Sequence, residues 1–141
     1  MTKEKKRKYA QIYEDLWRTT LTPLLKQYTP LTALFYVYLL SCQHRNLSGI
    51  YRLPIAYMGS DLNLREDQIR LLIDELIAEE LIAYDFDTEE VYVKHFILTQ
   101  VGPVRLGSED NRATAIEFLL YDVSSEWLYD LFNKEYNWEG A

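Results

Sequence analysis

A single cysteine, Cys42, in 141 residues leaves no internal disulfide to stabilise the chain. It follows the apolar pair Leu39-Leu40, with only Ser41 between. A lone thiol in that setting predicts a reducing, cytoplasmic environment. Five scattered glycines provide no glycine-rich phosphate loop, and two distant histidines with one cysteine provide no metal-ligand spacing. No cofactor or metal is therefore expected. No stretch approaches the ~20 apolar residues of a membrane span. The charged start is not followed by the hydrophobic segment a signal peptide requires. Acid pairs such as Glu79-Glu80 fall on a helix surface with no matching acid or base in view, so no catalytic residue is expected.

Basic residues are scarce too, with 15 Lys and Arg against 22 Asp and Glu for a net charge of −7. Their placement is uneven. Lys3, Lys5, Lys6, Arg7 and Lys8 against Glu4 give residues 1 to 8 a charge of +4, which leaves −11 for the remainder. A basic arm, expected to be disordered, thus precedes an acidic body. Nucleic-acid-binding domains are usually basic on at least one face, so the body is an unpromising DNA surface.

What is abundant is apolar residues, 48% of the chain with 14% aromatic, enough for one packed domain with short extensions. Tyr9, Ile12, Tyr13, Leu16 and Trp17 form a helical stripe, with a short strand over Tyr9–Tyr13 as the alternative. A second short segment covers Leu21–Tyr28. Thr29-Pro30 suits a helix start, and the dense apolar run from Leu31 to Leu47 predicts a central helix. Gly49–Leu53 reads as a short strand closed by Pro54, which opens a helix over Ile55–Leu62. After a turn at Asn63-Leu64, Ile69, Leu72, Ile73, Leu76 and Ile77 match the amphipathic template within a helix from Arg65 to Glu80. Leu81–Tyr84 and Val91–Phe96 flank a polar turn and predict a hairpin. Residues 99 to 112 read as a linker or loop, Ala113–Tyr121 as a helix, and Ser124 or Ser125 as the cap of a last helix carrying Trp127, Leu128, Leu131 and Phe132.

The order helix, strand, helix, turn, helix, hairpin is that of a winged helix-turn-helix. The expected fold class is α+β, mainly α, with flanking N- and C-terminal helices around a winged-helix unit ending near residue 98. Its core should contain Leu34, Val37, Tyr38, Leu53, Ile69, Leu72, Ile73, Leu76, Leu81 and Val93. The aromatic C-terminal segment should pack against Tyr9–Trp17 or meet its copy in a homodimer.

Tyr38-Leu39-Leu40 followed by His44-Arg45-Asn46-Leu47-Ser48-Gly49-Ile50-Tyr51-Arg52-Leu53-Pro54 resembles a signature of replication proteins from phages of Gram-positive bacteria. The similarity continues through Glu75-Leu76, Leu81–Asp85 and Val91–Phe96, and spans roughly residues 9 to 135. It implies the N-terminal winged-helix domain of replisome organisers and DnaD-like replication-initiation proteins. Such proteins are often longer, with a second domain for single-stranded DNA or helicase-loader contacts.

Two function classes follow. In the first, the domain binds DNA at an origin, using Lys5, Lys6, Arg7 and Lys8 of the arm, the cluster His44, Arg45 and Arg52, and Arg65, Gln68 and Arg70 at the start of the recognition helix. Such binding should be weak and salt-dependent. In the second, it is an interaction module that self-associates or docks a replication protein such as a helicase loader. A transcriptional regulator of the same fold remains an alternative. The acids Asp85, Asp87, Glu89 and Glu90 crowd the hairpin tip, where DNA-binding wings carry Lys or Arg.

Overall fold

The computed structural model describes residues 9 to 138. The basic arm therefore lies outside the described residues. The chain is α+β and mainly helical, and its layout is that of a winged helix.

Helix α1 (Glu14–Leu16) passes through a π turn (Trp17–Leu21) into α2 (Thr22–Gln27). The wide turn ends two residues before Pro23, whose ring lacks an N–H and would crowd the carbonyl four residues back in a tight α turn. Residues 9 to 13 are neither the expected helix nor a strand. The Gln100 side chain holds them extended: its amide donates to the Gln11 carbonyl at 2.9 Å, and its oxygen accepts the Gln11 N–H at 2.8 Å.

Helix α3 (Pro30–Ser41) is shorter than its apolar run. It stops because the next residues find better local partners. The Asn46 oxygen accepts from the Ser48 N–H at 3.0 Å and from its hydroxyl at 2.7 Å, while the Asn46 amide donates to the Ile50 carbonyl at 3.1 Å. Such side-chain turns compete with helix. Gly49 then enters β1 with φ +81°, and a Cβ there would lie 2.6 Å from that of Phe96. Only glycine fits.

Strand β1 (Ile50–Arg52), helix α4 (Ile55–Leu62), helix α5 (Glu66–Ala78), and the hairpin β2 (Ile82–Asp85) and β3 (Glu90–Val93) complete the winged-helix order. The sheet is antiparallel with order β1-β3-β2, and pairs Ile50 and Ala83 with Tyr92, and Tyr51 and Tyr84 with Val91. A π turn (Ile97–Val101) continues beyond the sheet, so the irregular loop is confined to residues 102 to 110 before α6 (Asn111–Leu120) and α7 (Glu126–Tyr136).

Side chains alternate across the sheet and each face buries a different cluster. Tyr51, Ile82, Tyr84, Val91 and Val93 join α3, α4 and α5 through Phe35, Leu39, Leu40, Met58, Ile69, Leu72, Ile73 and Leu76. Ile50, Ala83 and Tyr92 face the other way, onto Ile97, Val101, Ile116, Leu120, Leu128 and Phe132. Each fully buried side chain of this size contributes about 1.5–3 kcal/mol. Three expectations are thereby corrected. Leu34 is 53% exposed, because α3 buries the side carrying Thr32, Ala33, Phe35, Tyr36, Leu39 and Leu40. Val37, Tyr38 and Leu81 lie at the core margin rather than within it. The C-terminal helix packs on the outer face of the sheet and not on Tyr9–Trp17, whose Tyr13 and Leu16 belong to the opposite cluster.

Candidate nucleic-acid interface

Helices α4 and α5 form the helix-turn-helix through Asn63, which takes the left-handed conformation at φ 56°. The Leu64 N–H closes the turn on the Gly59 carbonyl at 3.0 Å. A Cβ at position 59 would stand 2.9 Å from the Leu64 carbonyl oxygen, so glycine permits the tight approach. The turn leads directly into the first turn of α5.

Its polar side chains are engaged within the chain. The Arg65 backbone N–H donates to the Gln68 oxygen at 3.0 Å, which commits Gln68 to capping the helix. The Arg65 guanidinium pairs with Asp67 at 3.1 Å and holds that carboxyl below its ordinary range. Arg70 pairs with Glu66 at 3.0 Å and lies 5.2 Å from the ring centre of Phe86 on the wing. Further along α5, Glu75 accepts from the Thr32 hydroxyl and Glu79 from the Tyr28 hydroxyl, each at 2.7 Å. Those two acids fasten α5 to the preceding helices and do not belong to an outward recognition face.

The expected cluster of His44, Arg45 and Arg52 divides. His44 and Arg52 converge on Tyr57 of α4, with ring-centre distances of 5.4 Å from the imidazole and 5.8 Å from the guanidinium. His44 Nε2 lies 2.9 Å from Asp61, and Arg52 pairs with Glu89 at 3.0 Å. Asp61 also accepts from the Tyr38 hydroxyl at 2.6 Å, and that hydrogen bond, ahead of the His44 contact, lowers its pKa. Arg45 is elsewhere. It donates to the Ser41 and Cys42 carbonyls at 3.0 Å, the negative end of α3, and to the Tyr9 carbonyl at 3.3 Å. Lys5, Lys6, Arg7 and Lys8 lie outside the described residues.

The acidic wing is also rearranged. Asp85 and Glu90 face each other across the hairpin and turn toward α7. The buried Glu90 carboxylate accepts the Ser125 N–H at 2.8 Å and the Ser124 N–H at 3.0 Å, and Asp85 accepts the Ser125 hydroxyl at 2.6 Å. That hydroxyl bond leads the causes that lower the Asp85 pKa. Ser125 in turn caps α7 through the Leu128 N–H at 3.1 Å. At the other end of α7, Glu135 accepts from the Tyr92 hydroxyl and from the His95 N–H at 2.9 Å. The outer side of the wing is thus covered by α7. With Glu89 on Arg52, Asp87 is the tip acid whose carboxylate makes no such contact.

Residues 9 to 138 hold ten Lys and Arg against twenty Asp and Glu. Exposed ion pairs add little stability, but they cancel the positive field a polyanion would meet. Sequence reasoning missed Asp61, Tyr57 and Phe86, which meet His44, Arg52 and Arg70 from 5 to 17 residues away; no local pattern marks them. Among the described residues no group of three His, Cys, Asp or Glu could hold a metal ion, and no helix is long and apolar enough to cross a membrane. Comparison with protein-family models, curated proteins and solved structures finds no match to this chain.

Proposed function

We propose that the chain is a non-catalytic winged-helix module of phage or bacterial DNA replication initiation. In this reading the basic segment 1–8 makes the DNA contact, and the folded body docks protein partners of the replication machinery. One observation carries it: Arg52, Arg65 and Arg70 are each paired with a carboxylate of their own chain. The replication role is supported by the resemblance of Tyr38–Leu40 and His44–Pro54 to phage replication proteins. The C-terminal segment spends Leu128 and Phe132 on its own sheet, which leaves a homodimer less apolar surface than the sequence suggests.

A duplex-DNA titration at two salt concentrations tests the reading. Five arm cations give a slope of log K against log[salt] of magnitude up to about 4.5, at ~0.9 per phosphate. Deleting residues 1 to 8 should remove most of the affinity and slope, while Arg65→Ala and Arg70→Ala change little. Survival of both after deletion would overturn it. Loss of sequence-selective binding in the two arginine variants would instead indicate a regulator reading an operator through α5.

A further inference from the structure

Twice on this surface an arginine meets both a carboxylate and an aromatic ring. Arg52 pairs with Glu89 at 3.0 Å and sits 5.8 Å from the ring centre of Tyr57. Arg70 pairs with Glu66 at 3.0 Å and sits 5.2 Å from that of Phe86. A third carboxylate and ring, Asp87 and Trp127, share a shallow, open groove between the wing and α7, which Tyr84, Asp85 and Phe86 also line. Neither has a cation partner among the described residues. Trp127 is 49% and Phe86 44% exposed, so both rings stand half in solvent. The two acids of the groove are not equivalent. The Asp85 carboxylate is taken by the Ser125 hydroxyl at 2.6 Å and by the N–H groups of Asp87 and Thr88 at 2.9 and 3.1 Å. That of Asp87 is exposed and accepts no hydrogen bond among the described residues. Glu126 and Asp130, exposed on α7 one and three residues from Trp127, add to the negative field.

We propose that this groove is the docking site for an arginine on a basic segment of a partner protein, its guanidinium stacked on Trp127 and hydrogen-bonded to Asp87. Charge complementarity selects the segment. Residues 9 to 138 carry ten Lys and Arg against twenty Asp and Glu, so this body attracts a basic segment and repels an acidic one. The paired ring and carboxylate select arginine over lysine. A guanidinium is planar and less strongly hydrated than an ammonium, and its face stacks on a ring while its edge donates to a carboxylate. Arg52 and Arg70 already combine those two contacts within the chain. Docking an arginine here covers the half-exposed indole and satisfies the remaining acid of the groove in one step. That the arginine belongs to a replication protein rests on the proposed function; the preference of the groove for arginine does not.

The test uses no DNA, so its failure is separate from failure of the proposed function. The indole N–H resonance of Trp127, assigned through Trp127→Phe, is followed in the full chain together with the backbone amides of Phe86 and Asp87. The probe is the peptide acetyl-Gly-Arg-Leu-Arg-Gly-amide, raised to millimolar concentration. All three signals should shift saturably while the Trp17 indole stays in place. The same peptide with citrulline for arginine, neutral and of nearly the same shape, should leave them unmoved, and a lysine version should bind more weakly. Read at the Phe86 amide, Trp127→Leu should weaken binding about two- to fivefold. Asp87→Asn should weaken it about threefold. Glu109→Gln, which removes an exposed charge outside the groove, should leave it unchanged. Equal binding of the citrulline peptide, or equal losses in Glu109→Gln and Asp87→Asn, would overturn the proposal. A Trp127 shift on dilution of the chain alone would give the groove to a second copy and overturn it as well.

Discussion

The Glu90 carboxylate accepts the Ser125 backbone N–H at 2.8 Å and so joins the returning strand of the wing to the first turn of α7. Glu90 is 5% exposed, an unusual burial for an acid at a hairpin turn. The contact is favourable because the first N–H groups of a helix have no partner of their own and carry its positive dipole end. Glu90→Ala leaves the Ser124 and Ser125 N–H groups unsatisfied in a buried site. A loss of about 2–3 kcal/mol is expected in urea unfolding, and Glu90→Gln, which keeps one acceptor, should lose less. An unchanged midpoint for Glu90→Ala would mean that the wing and α7 are not coupled there.

Glu80 ends α5 in the left-handed conformation at φ 59°. The Leu81 N–H reaches back to the Leu76 carbonyl at 3.1 Å, the closure in which glycine is normally found. A glutamate there bears both the steric cost of that conformation and an unfavourable charge at the helix's negative end. Glu80→Gly should therefore stabilise the chain by about 1 kcal/mol, seen as a higher urea midpoint with an unchanged slope.

Truncation of the central helices should be strongly uneven. Leu72→Ala and Leu76→Ala, buried on the inner face of α5, should each cost about 2–5 kcal/mol. Leu34→Ala on α3 should cost little, since that side chain is 53% exposed. Equal losses at all three would place α3 in a different rotation.

Asp61 and Asp85 both have pKa values lowered in the folded chain, by the Tyr38 and Ser125 hydroxyls respectively. A carboxyl depressed by folding contributes stability above its unfolded pKa of about 3.9, and that contribution is lost as pH falls through the folded value. Unfolding free energy should thus decline below about pH 4. Asp85→Asn should lower stability at pH 7 and flatten that acid limb. A steeper limb in the variant would contradict the assignment.

The sequence by itself determined the succession of elements from Pro30 to Val93 and the buried face of α5. Ile69, Leu72, Ile73 and Leu76 recur at helical spacing, and Pro30, Pro54 and the 63–64 turn mark the breaks, so local chemistry suffices. A serine cap for α7 at Ser124 or Ser125 was legible for the same reason, and the fold selects Ser125. The orientation of α3 was not, because a helix apolar all round carries no periodic signal to choose a face; packing against α5 and the sheet chose it and left Leu34 outside. Arg65 and Arg70 pair with Asp67 and Glu66 within one turn of α5, but tertiary structure decided the fate of the other charges. Arg52 meets Glu89 across 37 positions, and Glu90 meets Ser125 across 35. Electrostatic partners at such separations are set by strand register and by the docking of α7, which no short-range pattern encodes. An array that reads in sequence as candidate phosphate contacts and a solvated acidic turn is, once folded, a set of arginines neutralised by carboxylates of their own chain, beside a wing with two of its acids turned inward.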